Sequence, residues 1–233
     1  MKSNEKVDEL KDDSGYFKQH QHTLENEKIK VASETLKLLK NSNSIVLDAG
    51  TSAMYVAEAI FSSKLKSLSI LTHNIQVFLR YFDKPMHTTN HQLLLTGGCF
   101  DPEYNALYGF LTERAYEEFH PNVVILAISG LTASLNPSIP SGVYCHSVVE
   151  TRVKEFLFAL PVERRIIIAD SSKIGKVDSH MFGDFSKIGS NLGRLGKAFV
   201  VTNKPVTVDN EEILLFEETV SALNEWNIDV KVV

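Results

Sequence analysis

Short apolar runs alternate with helical spacing along most of this chain, and that alternation constrains the fold more than any other feature. The runs are IVLDAG (45–50), LSILT (68–72), HQLLLTGG (91–98), VVILAISG (123–130), RIIIAD (165–170), AFVVT (198–202) and a last one over 228–233. Between them, apolar residues recur at three- and four-residue steps. Ile29, Ala32, Leu36 and Leu39 mark one such stripe, and Val56, Ala57 and Ile60 a second. Ile75, Leu79 and Phe82 mark a third, and residues 112–119 read as a fourth helix. Val149, Val153, Phe156, Leu157 and Leu160 mark a long amphipathic helix, and a final one is expected over 217–226. Strand followed by helix, repeated, predicts an α/β fold: a mostly parallel sheet with helices on both faces. Runs apolar on both sides suit strands buried on both faces.

Composition supports a packed core, with 43% hydrophobic and 23% charged residues in 233. Residues 1–22 are polar and read as a flexible tail, leaving 23–233 as one domain. The first residues, MKSNEKVDELKDDSG, contain no apolar core of a secretory signal. No apolar run approaches the ~18 residues of a membrane span. Two distant cysteines, Cys99 and Cys145, form neither a CxxC pair nor a disulfide framework, which fits a reducing cytoplasm. The eight histidines are scattered and show no metal-ligand spacing. Lys and Arg number 24 against 29 Asp and Glu, a net charge of −5, with no basic stripe. Direct nucleic-acid binding is therefore not expected, since phosphate neutralisation supplies much of that affinity. The Arg164–Arg165 pair reads as a solvated turn.

In an open parallel sheet, ligands bind beyond the carboxyl ends of the strands. Each strand end here is small and polar. Asp48, Gly50, Thr51 and Ser52 follow the first strand. Gly50 allows a tight turn, and the hydroxyls with the amides of the next helix could hold an anion; Ser52 could equally be a plain helix cap. Thr72 and His73 follow the second strand, as ligand contacts or as a cap with Asn74. Gly97 and Gly98 follow the third, as a close backbone approach or a turn. Ser129 and Gly130 follow the fourth, and the irregular stretch beyond, with Pro137, Pro140 and Gly142, could fold over a site. Asp170 and Lys173 follow the fifth, suited to an anionic or carbonyl-bearing ligand. Glu150 and Lys154 lie four apart on the long helix, either as a surface pair or directed into the site. The convergence of these ends, more than any single motif, points to one ligand site.

Taken in order, LDAGTS, LTHN, LLTGG, NALYG (105–109), AISGL, Glu150 with Lys154, and ADSSKIG resemble the C-terminal sensor domain of DeoR-type bacterial repressors. The resemblance runs from about Leu24 to the C-terminus. It implies a Rossmann-like fold shared with ribose-5-phosphate isomerase and glucosamine-6-phosphate deaminase, with no cofactor or metal. It also implies a phosphorylated sugar as effector, with the DAGTS loop on the phosphate and Glu150, Lys154 and Lys173 toward the sugar. The resemblance departs in places. Only a polar tail stands where the family carries its DNA-binding helices, so a separate DNA-binding partner is expected, together with homo-oligomerisation. Thr72-His73 replaces the family's Thr-Asn, Asp101 stands where a basic residue is common, and Val201-Thr202-Asn203 replaces Ile-Thr-Asp. Two alternatives stay open. One is a sugar-phosphate isomerase or deaminase, with Glu150 or Asp170 as base and Lys173 or Lys154 as electrophilic partner. The other is a degenerate oligomerisation module.

Overall fold

The computed structural model describes residues 22–83, 89–185 and 196–233; most of the polar tail therefore lies outside it. The elements, in chain order, begin with α1 (Glu25–Lys37), β1 (Ser44–Leu47), α2 (Thr51–Phe61), β2 (Ser69–Thr72), α3 (Ile75–Tyr81) and β3 (Gln92–Leu95). A hairpin, β4 (Cys99–Asp101) and β5 (Ala106–Tyr108), leads into α4 (Phe110–Phe119) and β6 (Val123–Ala127). Then come β7 (Gly130–Thr132), β8 (Gly142–Cys145), α5 (Val148–Ala159), β9 (Arg164–Ile168) and β10 (His180–Asp184). The chain ends with β11 (Lys197–Thr202), α6 (Asn210–Glu225) and β12 (Asp229–Val232).

Seven strands form the main sheet in the order β12-β11-β9-β6-β1-β2-β3, and every neighbouring pair is parallel. The pleat divides the side chains between two cores. Val46, Leu71, Val124, Leu126, Ile167 and Val200 face a core that also holds Tyr116 of α4, Val153 and Leu157 of α5, and Leu223 of α6. Ile45, Leu47, Ile70, Ile125, Ile168 and Val201 face the other, with Val31 of α1, Val56 of α2 and Val77 of α3. The α/β architecture with helices on both faces is thus present.

The strand order reverses at β1. The chain steps outward through β2 and β3, then crosses back to β6 on the other side of β1 and continues to β12. The carboxyl ends of β1 and β6 therefore diverge into a crevice, the place where such sheets take ligands.

Several local expectations need correction. The 123–130 run is not one strand: β6 stops at Ala127, and Gly130 starts β7 of a second, antiparallel sheet, β10-β8-β7. The stretch beyond Gly130 is consequently not a purely irregular flap, because β7 and β8 pair within it. A Cβ on Gly130 would lie 2.6 Å from the Lys176 carbonyl, so close backbone approach accounts for that glycine. Arg164 and Arg165 are not a solvated turn but the first residues of β9. Arg165 is fully buried; it donates to the Leu160 carbonyl at 2.6 Å and lies 5.4 Å from the centroid of the Phe158 ring. Its desolvation holds the guanidinium pKa down to about 10. The last helix begins at Asn210, seven residues earlier than expected, because Asp209 caps the Glu211 and Glu212 amides while Leu214 and Leu215 face outward.

Of the stripe read along the first helix, Ala32, Leu36 and Leu39 face the core as expected, and only Ile29 does not. The buried face of α1 carries Lys28, Val31, Ala32 and Thr35, whereas Ile29 is 46% exposed. A lysine stands within the inward stripe, one position from the isoleucine taken for it. This assignment predicts that Val31→Lys destabilises the fold by about 3 kcal/mol or more, through an unpaired buried charge, while Ile29→Lys stays within about 0.5 kcal/mol of wild type. Urea denaturation of both variants checks it.

Candidate functional site

A cleft of about 160 Å³ opens at the crevice between β1 and β6. Ala49, Gly50, Thr51 and Ser52 line it after β1, and Ala127, Ile128 and Ser129 after β6. Cys145 and His146 come from the end of β8, Glu150 and Lys154 from α5, and Asp170, Ser172 and Lys173 from the turn after β9. Thr23, Leu24 and Lys28, from the start of α1, complete the wall.

The backbone at the end of β1 explains one side. Gly50 has φ +122°, a conformation closed to residues with a Cβ, and it begins α2 without a side-chain cap. The first turn of α2 contains no acidic residue. Its leading amides have no acceptor within the helix, and the helix dipole adds partial positive charge there. Lys28 Nζ donates to Thr51 Oγ1 at 3.0 Å, which brings an ammonium to the same helix start. Burial, and then the neighbouring Lys173 charge, lower the Lys28 pKa to about 8, against opposing pulls from Asp170 and Glu25. Lys173 lies 3.2 Å from Asp170, and Asp170 Oδ1 accepts from the Ser172 amide and hydroxyl. Burial opposes charge on Asp170, but Lys173 and the Ser172 hydrogen bond outweigh it and hold the carboxyl below its usual range. Asn203 fixes the base of this turn by accepting from the Ser171 amide at 2.9 Å and donating to the Ser171 hydroxyl.

Beneath the cleft lies a buried polar array. Asp48 is fully buried, with one carboxylate oxygen accepting from Lys154 Nζ at 2.5 Å and from the Ala127 amide at 3.0 Å. Lys154 also donates to the Ala127 carbonyl at 2.8 Å. Burial disfavours the Lys154 charge, yet Asp48 and Glu150 overcome this and keep its pKa above the ordinary value. Asp48 Oδ1 accepts from the Ala49 amide at 2.9 Å and lies 3.6 Å from His73 Nε2. That distance is too long for a direct hydrogen bond. Burial lowers the His73 pKa to about 4, so the ring is neutral at pH 7, and its Nδ1 lies 2.5 Å from the Tyr116 hydroxyl. Glu150 lies 3.9 Å from Lys154 and remains at the cleft wall. Burial raises its pKa foremost, against the pull of Lys154.

The structure brings most of the residues read from the sequence to one place. Gly50, Thr51, Ser52, Ser129, Glu150, Lys154, Asp170 and Lys173 all line the cleft. Asp48 lies just under it. Thr72 and His73 sit behind the wall: Thr72 Oγ1 accepts from the Asn74 amide, and Asn74 caps α3. Gly97 and Gly98 are not at the cleft. A Cβ on Gly98 would lie 2.5 Å from Thr112 Oγ1, so packing of the hairpin against α4 explains the glycine there. Asp101 closes the β4–β5 turn by accepting from the Glu103 amide. Sequence reasoning passed over Lys28, Cys145 and His146 as wall residues, and took Ser172 only as part of the ADSSKIG turn. A lysine four residues before Ala32 of the inward stripe was the available signal for Lys28, and it was masked by placing Ile29 on that face instead. Among the described residues no cluster of three or more His, Cys, Asp or Glu is suited to a metal. Nor is any helix long and apolar enough to cross a membrane.

Fold and cleft together define an open α/β domain whose strand-order switch point holds a cleft with Lys28 and Lys173 at one end. Residues 23–190 match the family model described as the DeoR C terminal sensor domain, and the chain belongs to that family. Among curated proteins, the HTH-type transcriptional regulator GolR of Listeria innocua is 25% identical over 153 residues, 66% of this chain and 55% of that protein. The L-fucose operon activator of Haemophilus influenzae is 24% identical over 180 residues, covering 77% and 67%. The chain thus spans little more than half the length of the first of these. Among solved structures, a ribose-5-phosphate isomerase in complex with phospho-erythronic acid superposes with a TM-score of 0.41 at 12% identity, over 64% of this chain and 53% of that one. The probable sor operon regulator from Shigella flexneri gives a TM-score of 0.41 at 11% identity, over 83% and 90%.

The buried pair makes a clear demand. Lys154→Met leaves Asp48 charged and unpaired, with an expected loss of about 3–5 kcal/mol. Asp48→Asn combined with Lys154→Met removes both charges and is expected to recover most of that loss. Denaturant titration of the single and double variants measures the coupling.

Proposed function

We propose that the cleft binds a small phosphorylated sugar, and that 23–233 form an effector-sensing domain whose occupancy sets the activity of a transcription regulator. The phosphate sits at the start of α2, on the Thr51 and Ser52 amides, between Lys28 and Lys173. The sugar extends toward Ser129 and Glu150, with Lys154 and Asp48 holding that wall. The reading extends to a cytoplasmic homo-oligomer that acts on DNA through a DNA-binding segment or partner. Family membership and the name of one relative, the L-fucose operon activator, support it.

One observation carries the ligand class. An uncapped helix start behind a glycine at φ +122° meets a lysine whose pKa is held down to about 8. A dianion placed there answers both the unpaired amides and the crowded ammonium groups. It also raises the Lys28 pKa, so binding takes up a proton wherever Lys28 is deprotonated in the ligand-free protein.

A thermal-shift and calorimetric screen of fructose, glucose, galactitol, ribose and deoxyribose phosphates, beside the unphosphorylated compounds, tests the reading. A phosphorylated compound is expected to bind, giving about 2.7 kcal/mol of stabilisation at a hundred times its dissociation constant. Gly50→Val is expected to abolish binding. Lys28→Ala is expected to weaken it roughly ten- to a hundredfold, the worth of one charge-assisted hydrogen bond. Affinity is predicted to be fullest between about pH 6, where the phosphate takes its second charge, and about pH 8. Above that it falls as Lys28 of the ligand-free protein loses its proton, and Lys28→Ala removes this alkaline limb. A flat response across the panel contradicts the proposal.

A further inference from the structure

His146 lines the cleft but has no part in the reading above. It follows β8, immediately before the Ser147 cap of α5, and its side chain is 53% exposed, so a ligand in the cleft can reach it. The small antiparallel sheet sets its neighbours. β10 pairs with β8 with His180 opposite Cys145, so the residues just before β10 run beside those just after β8. The segment leading into β10 is pinned from the other side as well. Leu131 of β7 bridges Lys176, and a Cβ on Gly130 would lie 3.2 Å from the Asp178 amide nitrogen. These constraints bring Asp178 to His146, with Nδ1 3.3 Å from Asp178 Oδ1. Ser129, another wall residue, joins the same strand by donating its amide to the Tyr144 carbonyl at 3.0 Å.

Asp178 is not one of the residues that line the cleft. The Ser179 amide donates to its Oδ1 at 2.6 Å, and the Ser179 hydroxyl lies 3.1 Å from the same oxygen. Burial opposes charge on Asp178, but hydrogen bonds from Ser129, Ser179 and His146 outweigh it and hold the carboxyl below its usual range. A carboxylate only accepts, so the imidazole meets it with Nδ1–H. The hydrogen bond made by one ring nitrogen sets the tautomer and direction of the other. With Nδ1 turned to a residue outside the cleft, Nε2 is turned away from that residue. A half-exposed ion pair of this kind contributes little to stability, so the contact matters chiefly for where it aims the ring.

We infer that His146, oriented by Asp178, is a specificity-determining contact of the cleft, whose Nε2, in the neutral ring, accepts from a hydroxyl of the bound sugar. The inference rests on the sugar-phosphate reading above and deepens it: Lys28 and Lys173 take the phosphate, and His146 lies on the Ser129 side, toward the sugar. The ligand then carries a hydroxyl, remote from its phosphate, that an effective competitor must also carry. A site that pairs a ligand hydroxyl in this way rejects the analogue lacking it more strongly than an apolar wall would. Asp178 is a positioning residue, acting on the ligand only through the ring.

His146→Ala, His146→Gln and Asp178→Ala in the full chain test this. Calorimetry would compare inorganic phosphate with the best sugar phosphate of the panel above, together with the ligand-free melting temperatures. His146→Ala is expected to weaken sugar-phosphate binding about tenfold, the worth of one hydrogen bond, with inorganic-phosphate binding and melting temperature unchanged. His146→Gln, whose amide oxygen can accept in place of Nε2, is expected to recover part of the loss. Asp178→Ala is expected to weaken the sugar phosphate to a lesser degree and to move the His146 ring-nitrogen resonances of the isotope-labelled chain away from the Nδ1–H form. Equal sugar-phosphate affinity in wild type and His146→Ala overturns the inference, and so does a parallel loss of inorganic phosphate. Unchanged affinity and ring resonances in Asp178→Ala overturn the role given to that residue. If wild type binds no sugar phosphate, the underlying reading fails and this inference with it, an outcome that appears before any substitution is made.

Discussion

An aspartate and a lysine, 106 residues apart in sequence, meet at 2.5 Å where the sheet reverses its strand order. Neither would tolerate that place alone, since a single buried charge at this depth costs several kcal/mol. Together they satisfy the Ala127 amide and carbonyl as well, tying α5 to the ends of both β1 and β6. The cleft depends on that tie. If α5 moved away, Glu150 would leave the wall, and the Asp48 carboxylate beneath it would lose its ammonium partner. The geometry this pair ties together is that of the cleft wall.

The parallel core was legible because its strands read continuously. Val123–Ala127 is buried at every position, as is Arg165–Ile168 within β9, so hydrophobicity alone located them. The small antiparallel sheet was not legible. β7 and β8 are three and four residues long, begin with glycine, and lack the alternation that marks a half-exposed strand. Their pairing depends on contacts between distant segments, which no local pattern announces. Arg165 misled for a related reason. An arginine pair suggests solvent, yet Phe158 and the Leu160 carbonyl give this guanidinium an interior berth.

The site divides along the same line. Residues following strands could be found from topology alone, because open α/β sheets take ligands at those ends. Gly50, Ser129 and Lys173 came from that rule. What the rule could not separate was the wall from what stands behind it: Thr72 and His73 follow a strand too, but one turned toward α3 and α4. Lys28 escaped because it lies on a helix before the first strand, outside the rule altogether. Its approach to Thr51 emerges only when α1 packs across α2.

The central claim is that the start of α2 receives an anion, with Lys28 and the Asp48–Lys154 tie as its supports. Amide chemical-shift mapping of the isotope-labelled chain, titrated first with inorganic phosphate and then with a sugar phosphate, tests it most directly. The account predicts saturable shifts that are largest at the Thr51, Ser52 and Ala53 amides with both ligands, extending to the Ser129 and Glu150 region only with the sugar phosphate. Shifts centred elsewhere, or none that saturate, would contradict it.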